Sequence, residues 1–248
     1  MCRFGRRHFG ALSRTFREMS GMTASCVTSD ACPDGEGYVK YICRHEPAPA
    51  PEQAGLAELD ALRTELFDAG LIGQRPDGTG FGNVSLRSEK GFVVSATATG
   101  GVRELGAEGY SLVEDWSVAG NRLTCRGPLP ASSEALTHAA VYEADADARC
   151  VVHAHSRPLF DGLLEAGALH TPRNAAYGTP EMAVAVADIA RRYPQEGILV
   201  MLGHDEGILA YGPSIRAVAS LISFAVRNFF LSSPGCGKMC PHGACHVS

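Results

Sequence analysis

The chain has 248 residues, 45% of them hydrophobic and 20% charged, with a formal net charge of -5 and a pI near 6.0. That is ordinary globular composition, and the length suits one domain with a sizeable core plus tails. The acidic balance offers no basic field to nucleic acid or to an anionic membrane, and no apolar run reaches the roughly 18 residues of a membrane span.

Residues 1–51 show no sustained periodicity. Arg3, Arg6, Arg7, Arg14 and Arg17 crowd the start with no apolar stretch behind them, unlike a secretory signal. The segment closes on a Pro/Ala stretch at 46–51 that reads as a semi-rigid linker. The expected organisation is an extension without fold over 1–51, one domain over 52–231, and a Cys/His-rich tail over 232–248.

Leu56, Leu59, Leu62, Leu66 and Phe67 recur at helical spacing before Gly70, so a helix is expected over 52–69. Short apolar runs between glycine-containing turns, at 83–87, 91–95 and 110–116, read as strands. Ser132 or Ser133 caps a helix to about Asp145, with Glu134 in its first turn. A strand follows at 149–155. Pro180 opens a helix with Met182, Val186 and Ile189 on one side, and 197–202 is a buried strand leading to His204. Pro213 starts a last helix reaching about Leu231. Strands mixed with helices throughout imply a three-layer α/β/α fold, its central mixed or mainly antiparallel sheet covered by helices.

Of nine cysteines, only Cys125 and Cys150 fall in the expected body. A secreted disulfide framework would staple the core and not the ends, so the compartment reads as reducing and cytoplasmic. The tail cluster Cys236, Cys240, His242, Cys245 and His246 matches no finger spacing.

His153 and His155 are i and i+2 on an expected strand, so both imidazoles leave one face of the sheet. Two neutral imidazoles side by side suit a divalent ion, and His204 is the candidate third ligand, leaving a position open for substrate. The competing reading is a pair of buried, hydrogen-bonded histidines. His138 and His170 are read as structural.

Six segments add context: Thr-Gly-Phe-Gly-Asn-Val-Ser-Leu-Arg (79–87), Thr-Ala-Thr-Gly (97–100), Ser-Ser-Glu (132–134), Val-Val-His-Ala-His (151–155), Tyr-Gly-Thr-Pro-Glu (177–181) and His-Asp-Glu-Gly-Ile-Leu-Ala-Tyr-Gly (204–212). Their order resembles that of the class II aldolase/adducin family, over about residues 55–230. The resemblance implies that His153, His155 and His204 hold zinc, or another divalent metal such as Mn2+ or Co2+. It makes Glu134 the proton acceptor and donor, and Gly82, Asn83, Thr99, Gly100, Ser132 and Ser133 the cradle of a substrate phosphate. Small residues there allow close backbone approach, and hydroxyls and amides donate to anionic oxygens.

The implied activity is that of an aldolase-type lyase working next to the carbonyl of a small sugar, phosphorylated or free, or of a hydroxy or keto acid. The charge of an enediolate would be held by the ion. Epimerisation, dehydration and decarboxylation on the same scaffold are alternatives, as is a non-catalytic adducin-like interaction domain. The family pattern further implies a homotetramer acting on a small molecule. Two features depart from it. The 22 residues from His155 to Tyr177 form a shorter stretch than in the sugar-phosphate enzymes, with no counterpart of their tyrosine acid. Asp205 and Glu206 also separate His204 from Gly207, either as binders of a substrate amine or hydroxyl or as a longer turn.

Overall fold

The structure is a computed structural model and describes residues 39–230. Eleven strands and five α-helices are found among these residues. The strands are β1 (Ile42–Pro47), β2 (Gly73–Gln74), β3 (Gly80–Phe81), β4 (Asn83–Ser88), β5 (Gly91–Ser95), β6 (Tyr110–Ser117), β7 (Arg122–Gly127), β8 (Cys150–His155), β9 (Leu169–His170), β10 (Gly197–Val200) and β11 (Gly207–Gly212). Nine of them form one mixed sheet in the order β1-β7-β6-β5-β4-β8-β11-β10-β9. Only the outer pairs β1–β7 and β9–β10 run parallel. The short β2 and β3 pair separately.

Side-chain alternation along the strands builds two cores. Val151, Leu209 and Tyr211 face α2 (Ala135–Ala144) and α4 (Pro180–Arg192) through Leu136, Ala139, Met182 and Val186. Val152, Ala154 and Ile208 face α1 (Leu56–Asp68), α3 (Arg157–Glu165) and α5 (Ile215–Ala225) through Leu59, Leu159, Leu163, Val218 and Ile222. The helix–sheet–helix layering is the expected architecture. His153 and His155 share the face of Val151, so they point toward the α2 side.

Antiparallel neighbours bring one strand's end beside the next one's start. β5 and β7 therefore finish, and β4 and β11 begin, at the end of the sheet where β8 terminates in His155. The loops leaving that end carry the motifs.

Several boundaries differ from the sequence reading. The extension expected to run to residue 51 contains β1, which adds a parallel strand beyond β7 and moves the ordered body toward the N-terminus. The run Val39-Lys-Tyr-Ile-Cys43 is rich in β-formers, and the linker signal after it obscured this. Residues 1–38 and the Cys/His tail at 232–248 lie outside the described residues. The cap of α2 is Glu134 and not Ser132 or Ser133, and its side chain makes no capping bond. Ser214 caps α5 by accepting from the Ala217 amide, so Pro213 sits just before the helix. The strand expected over 197–202 stops at Val200, where the chain begins turning toward β11. β7, β11 and α3, the last capped by Ser156, were not expected from the pattern.

Candidate active site

The register sets the first two imidazoles. His153 stands opposite Asn83 of β4 and Leu209 of β11, and His155 opposite Gly207. His153 Nδ1 lies 3.0 Å from the Ile208 carbonyl oxygen, so this nitrogen carries the proton and donates. That leaves the Nε2 lone pair toward the cluster, 3.0 Å from His155 Nε2. His204 comes from the turn between β10 and β11. Its own amide closes that turn by donating to the Met201 carbonyl, and the Gly207 amide donates back to the His204 carbonyl. The three candidate ligand atoms lie within 4.8 Å of one another, and all three residues are buried. Burial, reinforced by His155 and His204, holds the pKa of His153 well below the usual imidazole range, so its ring is neutral, the form that binds metal. Three imidazoles gathered this closely match the donor set of an open zinc site.

Gly203, just before His204, explains how closely this turn packs. A Cβ there would fall 1.7 Å from the Ala175 carbonyl oxygen. The segment so approached carries Tyr177, whose ring stacks on His204 at 4.6 Å with 25° between planes. Lys40 Nζ lies 3.6 Å from the centre of the Tyr177 ring.

Glu134 is 3% exposed, and Thr137 Oγ1 donates to its Oε2 at 2.8 Å. Its loop is braced from β1's side, where Tyr41 donates its hydroxyl to the Ser132 carbonyl at 2.7 Å. Lys40, Tyr41 and Thr137 escaped the sequence reading. The first two fall in the segment taken as extension, and Thr137 looks like any small helix residue. Tyr177 lay inside a motif, but nothing in its spacing announced the stack.

One cavity of ≈ 290 Å³ is lined by His153, His204, Glu134 and all six cradle residues: Gly82, Asn83, Thr99, Gly100, Ser132 and Ser133. His155 instead lines a second cavity beside Phe81 and Ser156, on the far side of the histidine cluster. Gly82 (φ 75°) and Gly100 are sterically required. Added Cβ atoms would meet Ile72 Cγ1 at 2.7 Å and the Gly73 carbonyl oxygen at 2.3 Å. Asn83 Oδ1 is buried with no hydrogen-bond partner among the described residues, a polar atom suited to a ligand. Thr99 differs from expectation because its hydroxyl already donates to the Ala96 carbonyl at 2.7 Å and has no second proton to give. Asp205 and Glu206 both pair with Arg157 on α3; neither lines the main cavity, and Glu206 lines the second.

Residues 71–160 match the family model described as the class II aldolase and adducin N-terminal domain. That match covers the helix and the strand that carry Glu134, His153 and His155. The chain's fold is similar to that of an L-fuculose-1-phosphate aldolase from Thermus thermophilus, at 22% identity over 69% of this chain and 88% of that one, with a TM-score of 0.51. A second L-fuculose 1-phosphate aldolase is 20% identical over 73% and 87% of the two chains (TM-score 0.52). A sugar-phosphate aldolase from Thermotoga maritima is 14% identical over 68% and 89% (TM-score 0.52). No curated protein matches this chain in sequence. Among the described residues, no helix is long and apolar enough to cross a membrane.

Proposed function

We propose that the protein is a metal-dependent lyase of the aldolase type, acting next to the carbonyl of a small sugar, sugar phosphate or hydroxy or keto acid. The observation that carries this reading is a buried carboxylate, Glu134, lining the same cavity as His153 and His204 of a three-imidazole cluster. His153, His155 and His204 would hold Zn2+, or Mn2+ or Co2+. Once bound there, such an ion supplies Lewis acidity that polarises a carbonyl and acidifies the adjoining carbon.

The chain's own groups do the rest. Glu134 takes up and returns the proton, with Thr137 orienting its Oε2 and Gly178 leaving space beside Oε1, where a Cβ would stand 3.6 Å away. The Asn83 amide and the Ser132 and Ser133 positions receive the substrate's hydroxyl or phosphate oxygens, and Gly82 and Gly100 admit those oxygens close to the backbone. Tyr177, stacked on His204, lines the same cavity. The same proposal includes a homotetramer in the cytoplasm.

The test is metal analysis of the purified full chain, then a screen of free and phosphorylated ketoses and of hydroxy and keto acids with the metal-loaded protein. Release of an aldehyde is expected, and release of CO2 would redirect the proposal to a decarboxylase. Failure to bind any of the three metals would remove the catalytic reading in favour of an adducin-like interaction domain.

A further inference from the structure

We propose that Cys43 and Cys125 form a dithiol modification site, at which a low-molecular-weight disulfide oxidises the pair to an intramolecular disulfide that staples β1 to the sheet. The two thiols come from neighbouring parallel strands, where His45 stands opposite Cys125 and Cys43 opposite Leu123. Both side chains point into the core that contains Tyr41, Ala131 and Ala135. Their sulfurs are 3.7 Å apart. A disulfide bond is about 2.05 Å long, so closure asks the sulfurs to approach by roughly 1.7 Å.

The two cysteines divide the chemistry. Cys43 is half-buried and Cys125 is fully buried, so a small reagent meets Cys43 first. The hydrogen bond from Cys125 lowers the Cys43 thiol, while the same contact and burial raise Cys125. Cys43 is therefore the attacking thiolate. It breaks the reagent's S–S bond, forming a mixed disulfide and releasing one thiolate, which picks up a proton. Cys125 then gives up its proton and attacks the Cys43 sulfur, expelling the second thiolate. The two cysteines lose two electrons and two protons, and one reagent disulfide is reduced to two thiols. Cys150, the third cysteine among the described residues, belongs to the opposite core and is pushed up to about 12 by burial, so it serves as an internal control.

The staple matters because β1 is the outermost strand and is preceded directly by two residues that reach the candidate active site. Tyr41 holds the Ser132 carbonyl, and Lys40 covers Tyr177. Oxidation ties that support to β7 by a covalent bond. The inference stands independently of the reaction proposed above.

The experiment treats the full chain with excess oxidised glutathione, traps remaining thiols and maps disulfides by proteolysis and mass spectrometry. It then compares amide hydrogen exchange of the reduced and oxidised forms. A Cys43–Cys125 linked peptide is expected with Cys150 left as thiol, and no such link should form in Cys43→Ser or Cys125→Ser. Exchange across residues 43–47 should slow by about tenfold or more, and the melting temperature should rise by about 5–10 °C. The mapping needs no variant, so a poorly folded substitution cannot decide it. Mixed glutathione disulfides at Cys43 without the 43–125 link, links from either residue to a tail cysteine, or a correct link that leaves β1 exchange unchanged would each overturn the proposal.

Discussion

Consider the metal-free protein moved from about pH 7.5 to about pH 5. His138 on α2 is fully buried, with Nδ1 2.7 Å from Ser85 Oγ, which in turn lies 2.7 Å from the Tyr142 hydroxyl. Its Nε2 has no hydrogen-bond partner among the described residues, so a second proton would place an uncompensated charge inside the core. Burial accordingly lowers its pKa from 6.5 to about 3. Between those values the unfolded chain binds a proton that the native protein refuses. Stability from this residue is therefore complete above 6.5 and is lost as the pH falls below it. At about pH 5 the imbalance, RT ln(1 + 10^1.5), is about 2 kcal/mol. His153 adds a loss of the same sign, through burial and then through its two histidine neighbours.

The assay is urea unfolding followed by the fluorescence of Trp116, the single tryptophan, in the presence of a chelator at a series of pH values. His138→Phe keeps an aromatic ring of similar size and removes the titration. Between neutral pH and about pH 5 it should lose about 2 kcal/mol less stability than the parent. Identical acid limbs in the two proteins would refute the argument, because they would mean that the native His138 accepts its proton freely.

Three further outcomes are expected. Glu134→Gln should lower turnover by about 10²–10⁴-fold with metal content unchanged by elemental analysis, because the amide keeps the shape and loses the base. His155→Ala should strip metal from the dialysed protein while its far-ultraviolet circular dichroism is retained, since His155 is a proposed ligand that lines the second cavity and not the main one. Gly203→Ala should cost about 1–3 kcal/mol in denaturant unfolding and weaken metal binding, because the new Cβ drives the Ala175–Tyr177 segment away from His204.

What the sequence conveyed depended on the range of the signal. Strand β5 was bounded correctly by local patterning, and the i, i+2 spacing placed His153 and His155 on one face of β8. The cradle residues were legible only as motifs in order. Their spacing along the chain gives no distance in space, yet all of them line one cavity. Strand β1 was missed because a short edge strand with alternating exposure resembles a loop, and a linker signal followed it. Thr99 shows a different limit, because no sequence pattern says whether a hydroxyl's single proton is already committed to a neighbouring carbonyl.

The burial of the histidine cluster bears on the proposed metal site. A core position is filled most readily by apolar side chains, and buried polar groups cost stability unless their donors and acceptors are met. Here His153 already uses Nδ1 on the Ile208 carbonyl, so its remaining nitrogen is an acceptor, and it faces His155 Nε2 at 3.0 Å. The proposed divalent cation would be held by all three rings at once, since their candidate ligand atoms lie within 4.8 Å of one another. The same cavity wall carries Glu134. An architectural zinc would have no use for a carboxylate positioned by Thr137 beside a cavity with an unmet Asn83 amide oxygen. The proposed proton-transfer site would use both.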